Sequence, residues 1–421
     1  MTEVSRRRFL GLAGAAMVLP FASRLPGASM PGPPARSFRI RAVTAGVPLT
    51  GDADPRELEP ALGFLRQARA GLEANGYEVQ TVRLATQPLA EYLPQWQRPA
   101  SLDVLRAMDE IATAADASLS LGPVITADEH VPGFGSWATE LVQRTRNASF
   151  SVRVASREHG IHRSALRSAA EAIEAIGRET PGGEGNFRFA AAAFVPAGTP
   201  FFPCGWFAEA KTFSIGLESP NLLAGTLATA SEPSAARAAM AAAMEAALGE
   251  IAGTAEEIGR ETGWRFLGID TSPAPGLDAS IGRVIERLTN EPFGDPSTLA
   301  ACALLTDVLK GLAVTACGYS GLMLPVLEDP VLAERAAEGR YGVSDLLLYS
   351  SVCGTGLDVV PIPGDTPIDT IGRLVEDLAA LAVRYAKPLS ARLLPIPGAS
   401  AGQRVSFDNP HLTDGVVMEA G

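Results

Sequence analysis

Short apolar or alternating runs recur along the chain, each followed by an amphipathic stretch or a cluster of turn residues. Five stand in the first half, Phe38–Val47, Tyr77–Ala85, Ser118–Val124, Ser149–Ala155 and Phe187–Val195. Five more stand in the second, Lys211–Leu217, Arg265–Thr271, Ala313–Gly318, Thr355–Pro361 and Ala391–Ile396. Runs of this length bounded by turn residues predict strands. Between them lie stretches of helical period with legible ends. Pro55–Asn75 stops at Gly76, Pro233–Thr262 stops at Gly263, and Thr366-Pro367 opens a helix with proline in its first turn. Strands alternating with helices predict an α/β fold with a largely parallel sheet or half-barrels. The two sets of five suggest two similar halves, about 36–200 and 201–400, although the letters hold no internal repeat.

The chain has 421 residues, 47% of them hydrophobic, enough to bury a large core as one big domain or two ordinary ones. Its formal charge is −12, and about −15 once residues 1–30, with four arginines and one glutamate, are set aside. A chain this acidic does not track a phosphate backbone, so a nucleic-acid partner is not expected. Lysine occurs only at 211, 310 and 387, so nearly all the positive charge is arginine, and no stretch of sequence gathers those arginines into a patch.

Ser5-Arg6-Arg7-Arg8-Phe9-Leu10, followed by the weakly apolar stretch Gly11–Ala22, matches a twin-arginine export signal. Residues 1–30 are therefore expected to be an address read by the export machinery, cleaved between Ala22 and Ser29 or retained as an uncleaved anchor, with 31–421 forming a single α/β domain. The apolar stretch is too short to span a bilayer. The expected location is the periplasm, or otherwise across the cytoplasmic membrane. Export of an already folded protein would place any thiol in an oxidising compartment, yet four cysteines in so long a chain are no disulfide scaffold.

Chemistry is most visible in two cysteine-centred blocks, Thr315-Ala316-Cys317-Gly318-Tyr319-Ser320-Gly321-Leu322 and Ser351-Val352-Cys353-Gly354-Thr355-Gly356-Leu357-Asp358. Each places one thiol among small residues where a strand pattern meets a loop. Together with Gly268-Ile269-Asp270-Thr271-Ser272-Pro273-Ala274-Pro275, Pro361-Ile362-Pro363-Gly364-Asp365-Thr366-Pro367 and Arg392-Leu393-Leu394-Pro395-Ile396-Pro397-Gly398, these blocks occur in the order typical of one family. The chain resembles the uncharacterised prokaryotic family called domain of unknown function 711, densely from Trp264 to Gly398 and more weakly from Phe38 onward. That family is similar in fold to pyruvate formate-lyase and ribonucleotide reductase. The resemblance therefore implies a ten-stranded α/β barrel of two antiparallel five-stranded halves. Fold carries no reaction with it. The segment Ser390–Gly402 reads as a strand and turn rather than a glycyl-radical loop, which disfavours radical chemistry.

Cys317 and Cys353 match the cysteines of the family's motifs, and the resemblance places both near a barrel mouth. There they would act as nucleophile or redox pair, with Gly318, Gly321, Gly354 and Gly356 opening backbone N–H groups to a ligand. The competing reading is two buried, inert thiols, which is the expectation for Cys302 inside a helical pattern. Cys204, in Phe201-Phe202-Pro203-Cys204-Gly205-Trp206, stands where relatives carry a small residue followed by an aromatic and a histidine. Asp270 and Glu218 are the preferred proton carriers among strand-end carboxylates that also include Asp358 and Asp365. A lone carboxylate in such a position more often caps a turn.

Glu158-His159-Gly160-Ile161-His162 looks metal-like, but its glycine breaks the helix that would align the two rings, and His130 and His411 are isolated. Gly133-Phe134-Gly135-Ser136-Trp137-Ala138 lacks the preceding strand of a dinucleotide loop.

The leading expectation is an exported enzyme with a cysteine-containing site acting on a small polar metabolite, its reaction open between thiol-redox and lyase-type chemistry. A cell-envelope protein holding copper or zinc through Cys317, Cys353, Cys204 and Met323 is the first alternative. A non-catalytic small-molecule binder is the second. Substrate, metal and any homo-oligomer stay open.

Overall fold

The computed structural model describes residues 37–51, 53–229 and 233–421, so the expected export signal lies outside the described residues. In chain order the first half contains β1 (Arg39–Gly46), α1 (Glu59–Ala74), β2 (Val79–Ala85), α2 (Leu89–Tyr92), α3 (Pro99–Ala114), β3 (Ala117–Ile125), α4 (Phe134–Arg144), β4 (Ala148–Ser156), β5 (Gly160–Ile161), α5 (Arg163–Glu179) and β6 (Phe189–Ala193). The second contains β7 (Thr212–Glu218), α6 (Pro220–Thr229), α7 (Pro233–Thr262), β8 (Arg265–Pro273), α8 (Ile281–Thr289), α9 (Thr298–Lys310), α10 (Pro330–Ala337), α11 (Val343–Ser350), β9 (Gly356–Pro363), α12 (Ile368–Tyr385) and β10 (Leu389–Ile396). A small hairpin, β11 (Arg404–Val405) and β12 (Gly415–Val416), follows.

The strands form one ten-stranded sheet in the order β8-β7-β1-β2-β3-β4-β6-β10-β9, with β5 paired to β4. Strands β1, β2, β3, β4 and β6 run parallel as consecutive neighbours. On one side β7 joins β1 antiparallel and carries β8 parallel to itself. On the other, β10 joins β6 antiparallel and carries β9. As a ladder the sheet is open, because its edges β8 and β9 do not pair with each other.

Nine of the ten expected runs are strands. The exception is Ala313–Gly318, which makes a single parallel bridge, Ala316 to Ile269 of β8. Its chain turns away at Gly318 (φ 65°) and Ser320 (φ 43°), and the Asp270 carboxylate accepts the N–H groups of Tyr319 and Ser320 that a ladder would otherwise take up. Beyond this turn the same segment reaches the opposite edge: Val326 N–H donates to Asp358 of β9 at 3.0 Å, and Gly354 N–H donates to the Leu322 carbonyl at 3.1 Å. Residues 315–326 thus hydrogen-bond to both edges.

Alternation along β2 shows what the sheet separates. Val82 and Leu84 join the hydrophobic cluster that also contains Leu62, Leu65 and Leu72 of α1, while Thr81 and Arg83 point to the other face. That second face carries charge, and the site is built on it.

Candidate functional site

The cysteine blocks meet, but through their glycines. A Cβ placed on Gly321 would lie 2.6 Å from the Cα of Gly354, and one on Gly354 would lie 2.5 Å from the Cα of Gly321. Gly356 (φ 99°) packs equally tightly on the Ser390 carbonyl, and a Cβ on Gly318 would strike the Asp270 carboxylate. All four glycines expected to open space for a ligand are occupied by close contact with the protein itself.

The thiols are placed apart. Cys353 is fully buried next to Cys302 of α9, and its carbonyl accepts from the buried Lys387 ammonium at 2.6 Å. Burial raises the Cys353 thiol despite Lys387, and raises Cys302 well above the ordinary range. Cys317 is partly exposed and neighbours Asp270 and Ser214; burial and then the Asp270 charge raise it too. Its neighbour Gly318 lines a cavity of about 360 Å³ at the carboxyl ends of β4 and β6. Cys204 packs against Ala190 and Ala192 of β6, and burial pushes it up to about 12. Among the described residues no group of three or more His, Cys, Asp or Glu side chains could hold a metal ion, so the copper or zinc reading finds no ligand set there.

The expected proton carriers hold structure together. Asp270 accepts from the N–H groups of Ser272, Tyr319 and Ser320, each at 3.0 Å, which is the turn-capping role. Glu218 is ion-paired to Arg39 at 2.8 Å and Arg41 at 3.1 Å. Asp365 is exposed.

A cavity of about 950 Å³ opens at the amino ends of β3, β4 and β6, opposite to the carboxyl ends where open α/β sheets bind their ligands. Arg41 of β1, Arg83 of β2 and Arg392 of β10 enter it with Glu328 and Met323. Glu328 bridges two of the guanidiniums, Arg41 Nη2 at 3.1 Å and Arg392 Nη2 at 2.6 Å. Arg392 Nε also meets Asp358 at 2.6 Å. Burial pushes the Glu328 carboxyl up, but Arg392 and Arg41 outweigh it and hold the group below its ordinary range. Asp358 goes the other way, raised by a burial that Arg392 does not offset.

Glu328 owes its position to Asp329. That buried carboxylate accepts from the Val331 and Leu332 N–H groups at the start of α10, and from Ser280 Oγ and the Ile281 and Gly282 N–H groups at the start of α8. One side chain thus caps two helices and fixes the chain that carries Glu328.

Arg83 differs from its neighbours. Among the described residues it has no carboxylate partner, and its one hydrogen bond runs from Nη1 to the Pro200 carbonyl at 3.0 Å. Burial, then Arg41 and Arg392 against Glu328, push it down to about 9, so it stays charged at neutral pH. Aromatic rings cover these guanidiniums: Phe202 lies 5.7 Å from Arg83, and Phe187 and Phe201 lie 4.9 and 5.7 Å from Arg392. At the rim His411 stacks on Phe187 with ring centroids 6.2 Å apart. Burial, then Arg41, Arg83 and Arg392 against Glu328, lower the His411 imidazole.

Arg41, Arg83, Arg392, Glu328 and His411 were not singled out together by the pattern of residues. They come from β1, β2, β10, the 315–329 segment and the C-terminal region, and only the fold assembles them into an arginine cluster. The available signal was an arginine breaking the apolar face of three strands. The other sequence candidates serve packing. Gly133 (φ 79°) starts α4, Gly135 lies against the Glu171 backbone of α5, and His162 is buried against Ser156.

The family model described as "Uncharacterised ACR (DUF711)" matches residues 34–409. A "UPF0210 protein" of Pyrobaculum islandicum is 32% identical over 400 residues, covering 87% of this chain and 87% of the relative. One of Methanopyrus kandleri is 29% identical over 402 residues, covering 87% and 88%. One of Syntrophobacter fumaroxidans is 28% identical over 364 residues, covering 79% and 77%.

Proposed function

The chain belongs to the DUF711 (UPF0210) family, and from that premise we propose that it binds a small anionic metabolite in the arginine-lined cavity, with Arg83 as the anchor. The observation that carries this reading is a charged guanidinium on a cavity wall with no carboxylate bonded to it among the described residues. An unpaired buried cation is costly, and a bound anion is what removes the cost. Glu328 and His411 border the same space and are the proton carriers offered to a bound ligand. Thiol chemistry has less support, because every cysteine is pushed toward its unreactive protonated form and Cys302, Cys353 and Cys204 are shut away from solvent.

Hydrogen bonds from residues 315–326 to both β8 and β9 support a sheet closed into a barrel through this irregular segment. The twin-arginine stretch lies before residue 34, where the family match begins, which supports a separable export signal. No helix among the described residues is long and apolar enough to cross a membrane.

The deciding experiment is thermal unfolding of the purified protein against carboxylates, phosphates and sulfonates, with chloride at equal ionic strength as control. A ligand of the native state raises the melting temperature in proportion to the logarithm of its concentration. Stabilisation by at least one organic anion, lost in Arg83→Met, is expected. If no anion stabilises the protein beyond chloride, the cavity is not an anion site.

A further inference from the structure

We propose that the ligand of this cavity is an organic monocarboxylate with an aromatic or aliphatic body. This rests on the anion-binding reading above and narrows it to one class of substrate.

Charge pairing sets the number of anionic groups. Glu328 is shared by Arg41 and Arg392, Asp358 belongs to Arg392, and Glu218 belongs to Arg39 and Arg41. Arg188, also in the cavity wall, turns its guanidinium onto Thr145 Oγ1 and the carbonyls of Ala148 and Val142, and the Asp109 charge acts on it in part against its burial. Among the described residues Arg83 and Arg188 are thus the buried guanidiniums of this wall with no carboxylate bonded to them, and Arg83 is the one whose side chain makes a single hydrogen bond. A single negative charge balances it. A second would face Glu328 on the same wall, and like charges repel.

Geometry then favours a carboxylate. A guanidinium offers five N–H donors in a planar fork, and Arg83 spends one of them on Pro200. The remaining edge matches the two oxygens of a carboxylate as a parallel pair of hydrogen bonds.

Size and lining specify the body. A cavity of about 950 Å³ is far larger than an inorganic ion needs. Phe201, Phe202, Val142 and Met323 supply apolar wall to the same cavity, with Phe202 over the Arg83 guanidinium. A flat or aliphatic body extending from the carboxylate would bury against that wall.

The test is calorimetric titration of the full protein with phenylpropionate, hexanoate, the amides of both acids, phenylsuccinate and inorganic phosphate. At least one monocarboxylate is expected to bind ten or more times as tightly as its own amide, as phenylsuccinate and as phosphate. Arg83→Met should remove that preference and Arg83→Lys should restore part of it. The amide comparison uses the unaltered protein, so it stands even where a variant fails to fold. Tighter binding of phenylsuccinate or phosphate than of either monocarboxylate overturns this inference while leaving an anion site in place. Equal binding of acid and amide, or binding of none of the probes at millimolar concentration, overturns both.

Discussion

Gly321 and Gly354 touch backbone to backbone, and through that contact the two cysteine blocks join one edge of the sheet to the segment that comes from the other. No side chain fits there: a Cβ on either residue would lie within 2.6 Å of the partner's Cα. The neighbouring Gly354 N–H bond to Leu322 holds the crossing in register. Overpacking a tight site costs about 1–3 kcal/mol, and backbone has less room to yield than a side chain. Gly321→Ala and Gly354→Ala should each lower stability by about 2 kcal/mol or more, and the double change should cost less than the sum because both relieve one crossing. Denaturant unfolding checks this, and strictly additive losses would show that the two residues do not share a contact.

The thiols should sort by exposure rather than by motif. Cys317 is the one partly exposed cysteine, while Cys204, Cys302 and Cys353 are buried. Alkylation of the folded, reduced protein near neutral pH should therefore mark Cys317 first, and slowly, since burial and Asp270 raise its pKa. Peptide mapping over time provides the order. Early labelling of Cys353 would mean that its block opens in solution, and would return the cysteine pair to the site.

How much of this was legible in the sequence depends on range. Nine strands were visible because each carries its own period and its own turn residues, as β2 does in Val79–Ala85 followed by Thr86 and Gln87. Ala313–Gly318 has the same composition as a strand, and what stops it is the Asp270 carboxylate 50 residues away in sequence from Ser320. The arginine cluster was invisible for the same reason. Arg41, Arg83 and Arg392 each stand in a different strand, far apart in sequence, and only the strand order β1-β2 and β6-β10 turns their faces toward one space. The cysteine blocks were the strongest local signal, and they mark a backbone crossing.

Anion binding should strengthen as pH falls through the region below 6.5. His411 is held below its ordinary value by burial and by Arg41, Arg83 and Arg392, with Glu328 opposing them. In the free protein this lowered pKa leaves stability intact above about 6.5 and erodes it as pH falls through the folded value. An anion bound beside Arg83 supplies the missing negative charge, raises the His411 pKa and so takes up a proton on binding. Titrations in buffers of different ionisation enthalpy should detect that uptake between pH 5 and pH 7, in the spirit of proton linkage. His411→Gln should bind the same anion with no proton uptake, and uptake that persists unchanged in this variant would place His411 outside the site.

Arg6→Lys with Arg7→Lys should keep precursor in the cytoplasm, because the paired guanidiniums are what the export machinery reads. Fractionation of the native host measures it. Normal delivery of the doubly changed protein to the envelope would remove the export reading without touching the cavity.

Arg392 and Asp358 offer the sharpest energetic test of the cavity's interior. Both are nearly shut from solvent, at 3% and 1% side-chain exposure, and their 2.6 Å bond is reinforced by Glu328 on the same guanidinium. Removing one partner of a buried pair typically costs about 3–5 kcal/mol, because the other is left charged and desolvated. Asp358→Asn should fall below that range, since Glu328 still neutralises Arg392. Arg392→Met should reach it at neutral pH, because it leaves Asp358 without an ion pair and Glu328 with Arg41 alone. The sign of the pH effect follows. Asp358 is already raised by burial with Arg392 present, and without Arg392 it rises further. A carboxyl raised in the folded state costs nothing extra below its unfolded pKa of about 3.9 and progressively more as pH climbs. The penalty of Arg392→Met relative to the unaltered protein should therefore grow from pH 5 to pH 8. Adding Asp358→Asn should recover part of it at the upper end, where the charge is most costly. A penalty that stays flat with pH, or a double variant no better than Arg392→Met alone, would mean that Arg392 acts through packing on Phe187 and Phe201 rather than through charge.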